Sequence, residues 1–356
     1  MFRKETSLVF LSAVSLCNLA VAGESSFAVT DLGTLGGASS VACGLNDRGQ
    51  VVGFSSLANG ESHAFLWSDC GMTDLGTLPG LGFSEARNLN NRGQVVGDST
   101  VEFFTPPFHA ALWERSGEIV PLGALPGGFA SFAIDINTRG QVVGASRGGS
   151  GQLHAFLWQD GAMSDLGTLP GHVLSVARAI NHRGQAVGNS EPIETASIGH
   201  CPTTPVAVQE QHAVLWDNGV ITDLGTLGGV FGMAKGINDR GQVVGSSSLA
   251  NGEEHAFLWS EGVMTDLGEL GGAYSLANHV NNHGQVVGLS RTSEGELHAV
   301  LWQSGVMSDL NGLIPADSGW VLVEATDINR AGEIVGVGVI HGETHAFLLT
   351  PIGEDE

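Results

Sequence analysis

The chain has 356 residues and a formal net charge of -23, with 14 Lys and Arg against 37 Asp and Glu. That excess of carboxylates excludes nucleic acid and anionic lipid surfaces as partners, because both are held by clustered cations that release counterions. Beyond the N-terminal segment no run approaches the roughly 18 apolar residues needed to span a bilayer, so no membrane insertion is expected.

Residues 1–22 read as a signal peptide. Arg3 and Lys4 precede an apolar stretch, 8–22, that ends in the small-residue pattern Ala20-Val21-Ala22. Leu16, before Cys17, is too large for a lipoprotein cleavage signal. Removing Arg3, Lys4 and Glu5 takes the formal net charge from -23 to -24. The mature product, 23–356, is expected as one exported domain, secreted to the extracellular space or periplasmic, and monomeric. It keeps Cys43, Cys70 and Cys201, an odd number that excludes complete pairing within one molecule.

From about residue 27 one pattern recurs. Gly-Gln-Val-Val-Gly begins at Gly49, Gly93, Gly140, Gly184, Gly241, Gly284 and Gly332, with Ala186, Glu333 and Ile334 as its departures. A His-Ala element, His-Ala-Phe-Leu-Trp in its fullest form, begins at His63, His109, His154, His212, His255, His298 and His345. A third element, Asp-Leu-Gly in most units, begins at Asp31, Asp74, Pro121, Asp165, Asp223, Asp266 and Asp309. A period of about 44 residues falls in the range of propeller blades and outside that of short solenoid coils.

Within one unit the spacing predicts strands over 275–281, 284–290, 297–303 and 306–310. Asn-x-x-Gly marks the first hairpin, Asp160-Gly161 or Asn218-Gly219 the second, and Gly36-Gly37 or Pro79-Gly80 breaks the chain between units. On the third strand His63, Phe65 and Trp67 face one way and Ala64 and Leu66 the other. Two apolar faces suit a sheet packed between sheets. The predicted fold is all-β, a seven-bladed β-propeller of four-stranded blades.

The third element starts before the others and is missing after the last His-Ala. Residues 27–32 are thus an orphan fourth strand, and pairing them with 345–349 closes the ring and removes two edges. In this strand order Cys43 and Cys70 stand at least two spacings of about 4.8 Å apart, beyond the roughly 7 Å of a disulfide, and are not bonded.

His-Ala-Phe-Leu-Trp, Asp-Leu-Gly-Thr-Leu-Gly-Gly and Ile-Asn-Asp-Arg-Gly-Gln-Val-Val-Gly together resemble the HAF repeat family of bacterial exported proteins. The final unit, from Asp309-Leu310-Asn311 through Gly319-Trp320 to His345-Ala346-Phe347-Leu348-Leu349-Thr350-Pro351, is similar to that family's usual last repeat. The resemblance covers essentially the whole mature chain. It implies an extracellular, propeller-like repeat protein and transfers no catalytic residue, because the family motif is itself the blade skeleton.

A residue that every unit carries serves every blade, whereas a ligand meets each blade differently. The repeated His and Asp therefore read as structural, and equivalent positions on a wide ring cannot converge to about 2.1 Å on one metal ion. Gly144-Ala145-Ser146-Arg147-Gly148 matches a hydrolase nucleophile pattern. Ser55, Ser99, Ser190, Ser247 and Ser290 occupy the same place in other units, so Ser146 is scaffold. No catalytic residue, cofactor or metal site is assigned.

Variation concentrates just after the repeated Ala of the first strand, at Cys43, Arg87, Ile134, Arg178, Lys235, Asn278 and Thr326. Three residues before that Ala stand Phe83, Phe231 and Tyr274. Arg87, Arg178, Lys235, Phe83, Phe231 and Tyr274 form the candidate ligand site, expected at one mouth of the ring. Arg grips carboxylates bidentately and aromatic faces stack on apolar ring surfaces, so a small anion or glycan-like ligand suits it. Two long loops, 101–107 and 191–211, are expected to open on that mouth.

The expected function is a binding or interaction module for a small molecule, glycan or protein. One rival is a glycan-acting hydrolase or lyase using Asp135, His279 and Asp327. Another is a structural surface or matrix component that works through its outer faces.

Overall fold

The computed structural model describes residues 26–69, 71–101, 107–192 and 210–353. The expected signal peptide, Cys70, Cys201 and the middle of both long loops lie outside the described residues. The described chain is 28 strands and one short 3-10 turn, Leu310–Gly312.

The strands form four-stranded antiparallel units, five of them separate sheets. Two more are bridged into an eight-stranded sheet by a single parallel contact between Glu254 and Tyr274. The sheet that pairs Phe27–Asp31 with the last strands is one of the five, so the described residues make seven blades. Their first strands are Gly36–Leu45, Phe83–Leu89, Ser131–Ile136, Leu174–Ile180, Gly228–Ile237, Gly271–Val280 and Trp320–Ile328. Each first strand touches the first strands of both neighbouring blades, and the last touches the first, so these strands line a central channel.

Two devices close the ring. Phe27–Asp31 pairs antiparallel with Glu343–Pro351, setting Phe27 opposite Pro351 and Asp31 opposite Phe347, as the offset repeats require. Around the axis runs a circuit of side-chain amides. The Nδ2 of Asn46, Asn90, Asn137, Asn181, Asn238, Asn281 and Asn329 donates to the backbone carbonyl of the corresponding Asn one blade on. Asn329 returns to Asn46, and every bond measures 3.0 to 3.2 Å. The Oδ1 of the same residue folds its own hairpin, as Asn238 does by accepting from the amides of Arg240 and Gln242.

Every first strand carries a β-bulge at the residue after the repeated Ala. The bulge pushes a backbone carbonyl over the second strand and explains the final Gly of Gly-Gln-Val-Val-Gly. A Cβ on Gly53 would lie 1.9 Å from the Val41 oxygen, and one on Gly245 would lie 1.9 Å from the Met233 oxygen. Only glycine fits there.

The core lies between blades. Phe65 packs with Ala42, Val51, Val335 and Ala346, and Phe257 with Ala179, Val187, Ala213 and Ala234. Both faces of the third strand are covered, since Phe65 and Ala64 are fully buried.

Two boundaries differ from the sequence reading. The second strand of the sixth blade starts at Val286, because Gly284, at φ +82°, belongs to the turn that Asn281 folds. The Gly-Gly pairs at 36–37, 228–229 and 271–272 do not break the chain; they begin first strands. Gly36 pairs with Leu57 at φ +101°, and a Cβ on Gly37 would collide with Ser56.

Candidate functional site

The repeated polar residues are engaged within the scaffold. Six His–Asp pairs bind the third strand to the fourth through Nδ1, at 2.7 to 3.0 Å. The pair His345–Asp31 joins the two chain ends, while in the second blade Pro121 stands where the others have Asp. Ser146 is fully buried, its Oγ accepting from the Leu125 amide and donating to the Ala130 carbonyl. It is scaffold, as the comparison between units required.

The variable position is the bulge residue of each first strand. Phe83 stands four residues before Arg87, about 13 Å at 3.3 Å per residue, so the aromatics and the cations occupy different levels. Phe83, Phe231 and Tyr274 flank the channel end away from the Asn circuit, each half-buried and each offering its carbonyl to a second-strand serine. Burial raises the Tyr274 phenol pKa, and Glu254 and Glu324 add to the rise. Arg87, Arg178 and Lys235 stand at the mid-strand bulges, not at the strand ends, and are each only partly buried.

Their charges are handled differently. Arg87 donates from Nε to Asp98 and from Nη2 to Glu85, both at 3.0 Å, and is neutralised within its own blade. Lys235 donates to Asn278 Oδ1 at 2.6 Å, and Asn278 donates in turn to Glu324 at 2.8 Å, linking three blades. Arg178 donates from Nε to Asn189 at 3.0 Å. Burial lowers its pKa to about 10, opposed by Glu191 and assisted by the charge of Arg87.

Glu85 is a testable weak point. Its Oε1 is buried without a hydrogen-bond partner, and burial raises its pKa from 4.5 to about 7 against the pull of Arg87. The folded-state pKa lies above the unfolded value, so its contribution is complete below pH 4.5 and is lost as pH rises through 7. At about 1.4 kcal/mol per pKa unit the loss is on the order of 3 kcal/mol. The variant E85Q should therefore gain stability relative to the wild type between pH 5 and pH 8, read as the difference of two urea-unfolding profiles. Parallel profiles would show that Glu85 is ionised in both states.

At the Asn-circuit end, Asn88, Asp135, His279 and Asp327 line a polar cavity of about 160 Å³. Asp135 accepts from Asn88 and from the amides of Ile136 and Ile180, each at 2.7 Å. Asp327 accepts from the amides of Ile328 and Leu45, at 2.7 and 2.8 Å. Each carboxylate thus ties its own bulged strand to the next blade. His279 Nδ1 lies 2.6 Å from Asp327 Oδ1, an ionic contact whose angle falls short of a hydrogen bond. Burial opposes the charge of His279, but Asp327 and Asp135 outweigh it and raise its pKa to about 9. Every oxygen of the two carboxylates is already engaged, an arrangement suited to holding strands in register.

No protein-family model and no curated protein matches the chain. Solved structures do. The β-propeller domain of the Trilobed protease from Pyrococcus furiosus is 9% identical over 89% of this chain and 97% of its own, with a TM-score of 0.52. A gluconolactonase from Xanthomonas campestris is 12% identical over 92% and 90% (TM-score 0.45), and TolB from Acinetobacter baumannii 10% over 86% and 81% (TM-score 0.44). At such identities the likeness concerns the fold: the chain is a β-propeller protein. The Pyrococcus domain has an open velcro topology, whereas here Phe27–Asp31 seals the ring. Among the described residues no helix is long and apolar enough to cross a membrane.

Proposed function

We propose that this β-propeller is an exported protein of the HAF repeat type, secreted or periplasmic, that acts as a binding module for a small anion or glycan-like ligand. One observation carries the reading. The repeated residues are engaged in strand, turn and blade contacts, while the residue that changes from blade to blade projects from a bulge on the channel wall. Binding is favoured over glycan cleavage because the carboxylates of Asp135 and Asp327 are occupied by backbone amides. The ligand enters past Phe83, Phe231 and Tyr274 and meets the cationic level below them.

Thermal-shift measurements on the purified protein with uronates, neutral sugars and small anions test this. At least one compound should raise the melting temperature. F231A and Y274A should weaken that ligand about tenfold, or ~1.4 kcal/mol, with little change in the melting temperature of the unliganded protein. A panel without effect, or mouth variants that bind like the wild type, would remove the basis for the reading.

A further inference from the structure

Arg87 and Arg178 occupy the same bulge position in the second and fourth blades, and each makes the same 3.0 Å bond from Nε to the second strand. What surrounds them differs. In the second blade the Nε acceptor is Asp98, and Glu85, paired with Asp98 across the strands, takes Nη2. In the fourth blade the corresponding cross-strand pair is Asn189 and Val176, so both carboxylates are replaced by neutral groups.

The nearest acid does not make good the loss. Glu191 Oε1 instead accepts from Asn189 at 2.9 Å and from Gln211 at 2.6 Å. Among the described residues the terminal nitrogens of Arg178 meet no acceptor. Arg178 is itself only partly buried. Removing a guanidinium from bulk water without an anion is costly, and the second blade displays how this protein satisfies the same group when it does so internally.

We propose that Arg178 anchors a carboxylate-bearing small molecule, whose carboxylate takes in the fourth blade the place that Glu85 holds in the second. The inference rests on the binding-module reading and narrows it to one anionic group and one site per ring. Arg87 and Lys235 then serve the protein's own network. A planar carboxylate matches two parallel N–H donors, and the acidic chain disfavours a multiply charged ligand.

Calorimetric titration of the purified protein with acetate, glucuronate and galacturonate, each beside its neutral counterpart acetamide, glucose or galactose, and with inorganic phosphate, tests this. At least one carboxylate should bind with a stoichiometry of one and at least tenfold more tightly than its counterpart. R178Q should abolish that preference. N189D sets a carboxylate against Nε as Asp98 does and should weaken the same ligand at least tenfold per folded molecule, although it also removes the Nδ2 donor that Glu191 accepts. V176E supplies the Glu85 equivalent and should act in the same direction, so a poorly folding R178Q leaves the proposal testable.

Neutral sugars that bind as well as uronates, with R178Q indifferent, would overturn the anchor while leaving the binding module intact. Phosphate preferred over every carboxylate would overturn the ligand class. Binding of none of these compounds would defeat both readings.

Discussion

Deleting residues 23–33 is expected to lower the unfolding free energy by about 5 kcal/mol or more and to promote self-association. Phe27 and Leu32 are buried in two different inter-blade clusters, and Val29 packs against the first of them. Burying such side chains is worth roughly 1.5 to 3 kcal/mol each. The same deletion removes Asp31 from His345 and withdraws a whole strand from the outer side of Glu343–Pro351. A strand edge laid open in this way is a template for another chain. Urea unfolding and light scattering would read both effects, and a truncated protein with wild-type midpoint and monomeric scattering would mean that the strand does not hold the ring.

Ring closure is legible in the sequence because 27–32 matches the fourth strand of the other units yet has no unit before it. The Asn circuit is not legible. An Asn that opens a tight turn reads the same whether its amide points to water or reaches a carbonyl one blade away. The bulge is hidden for a related reason, since a one-residue irregularity leaves the apolar alternation on either side intact. It is nevertheless what decides the site, because the face on which a strand residue emerges depends on register. Without the bulge, Glu85 and Asp98 cannot be placed against Arg87, nor Val176 and Asn189 against Arg178. The variable positions were therefore visible from comparing the units, while the difference between a neutralised arginine and an unneutralised one was not.

Phe65→Ala and Phe257→Ala should each destabilise the protein by about 3 to 5 kcal/mol, the usual loss when a buried aromatic site is emptied. Both rings are fully buried, as are Phe156 and Phe347. The backbone beneath cannot rise to fill the space, because the second-strand glycines under these rings are held by the bulged first strand. Blades that lack the phenylalanine show what the space demands. Where the third strand carries Ala111, Val214 or Val300, the tryptophan two places on, Trp113, Trp216 or Trp302, is buried to 3% exposure or less. Where it carries Phe65, Phe156 or Phe257, the corresponding Trp67, Trp158 and Trp259 are only half-buried. Each blade thus fills one inter-blade site with one large ring. Trp113→Ala should then cost about as much as Phe65→Ala, and Trp67→Ala distinctly less, in the same urea series. Ligand affinity per folded molecule should be untouched in all of them. A Phe65→Ala protein that melts like the wild type but no longer binds would instead place the repeated aromatic in the ligand site, and the division between repeated scaffold and variable contact residues would fall.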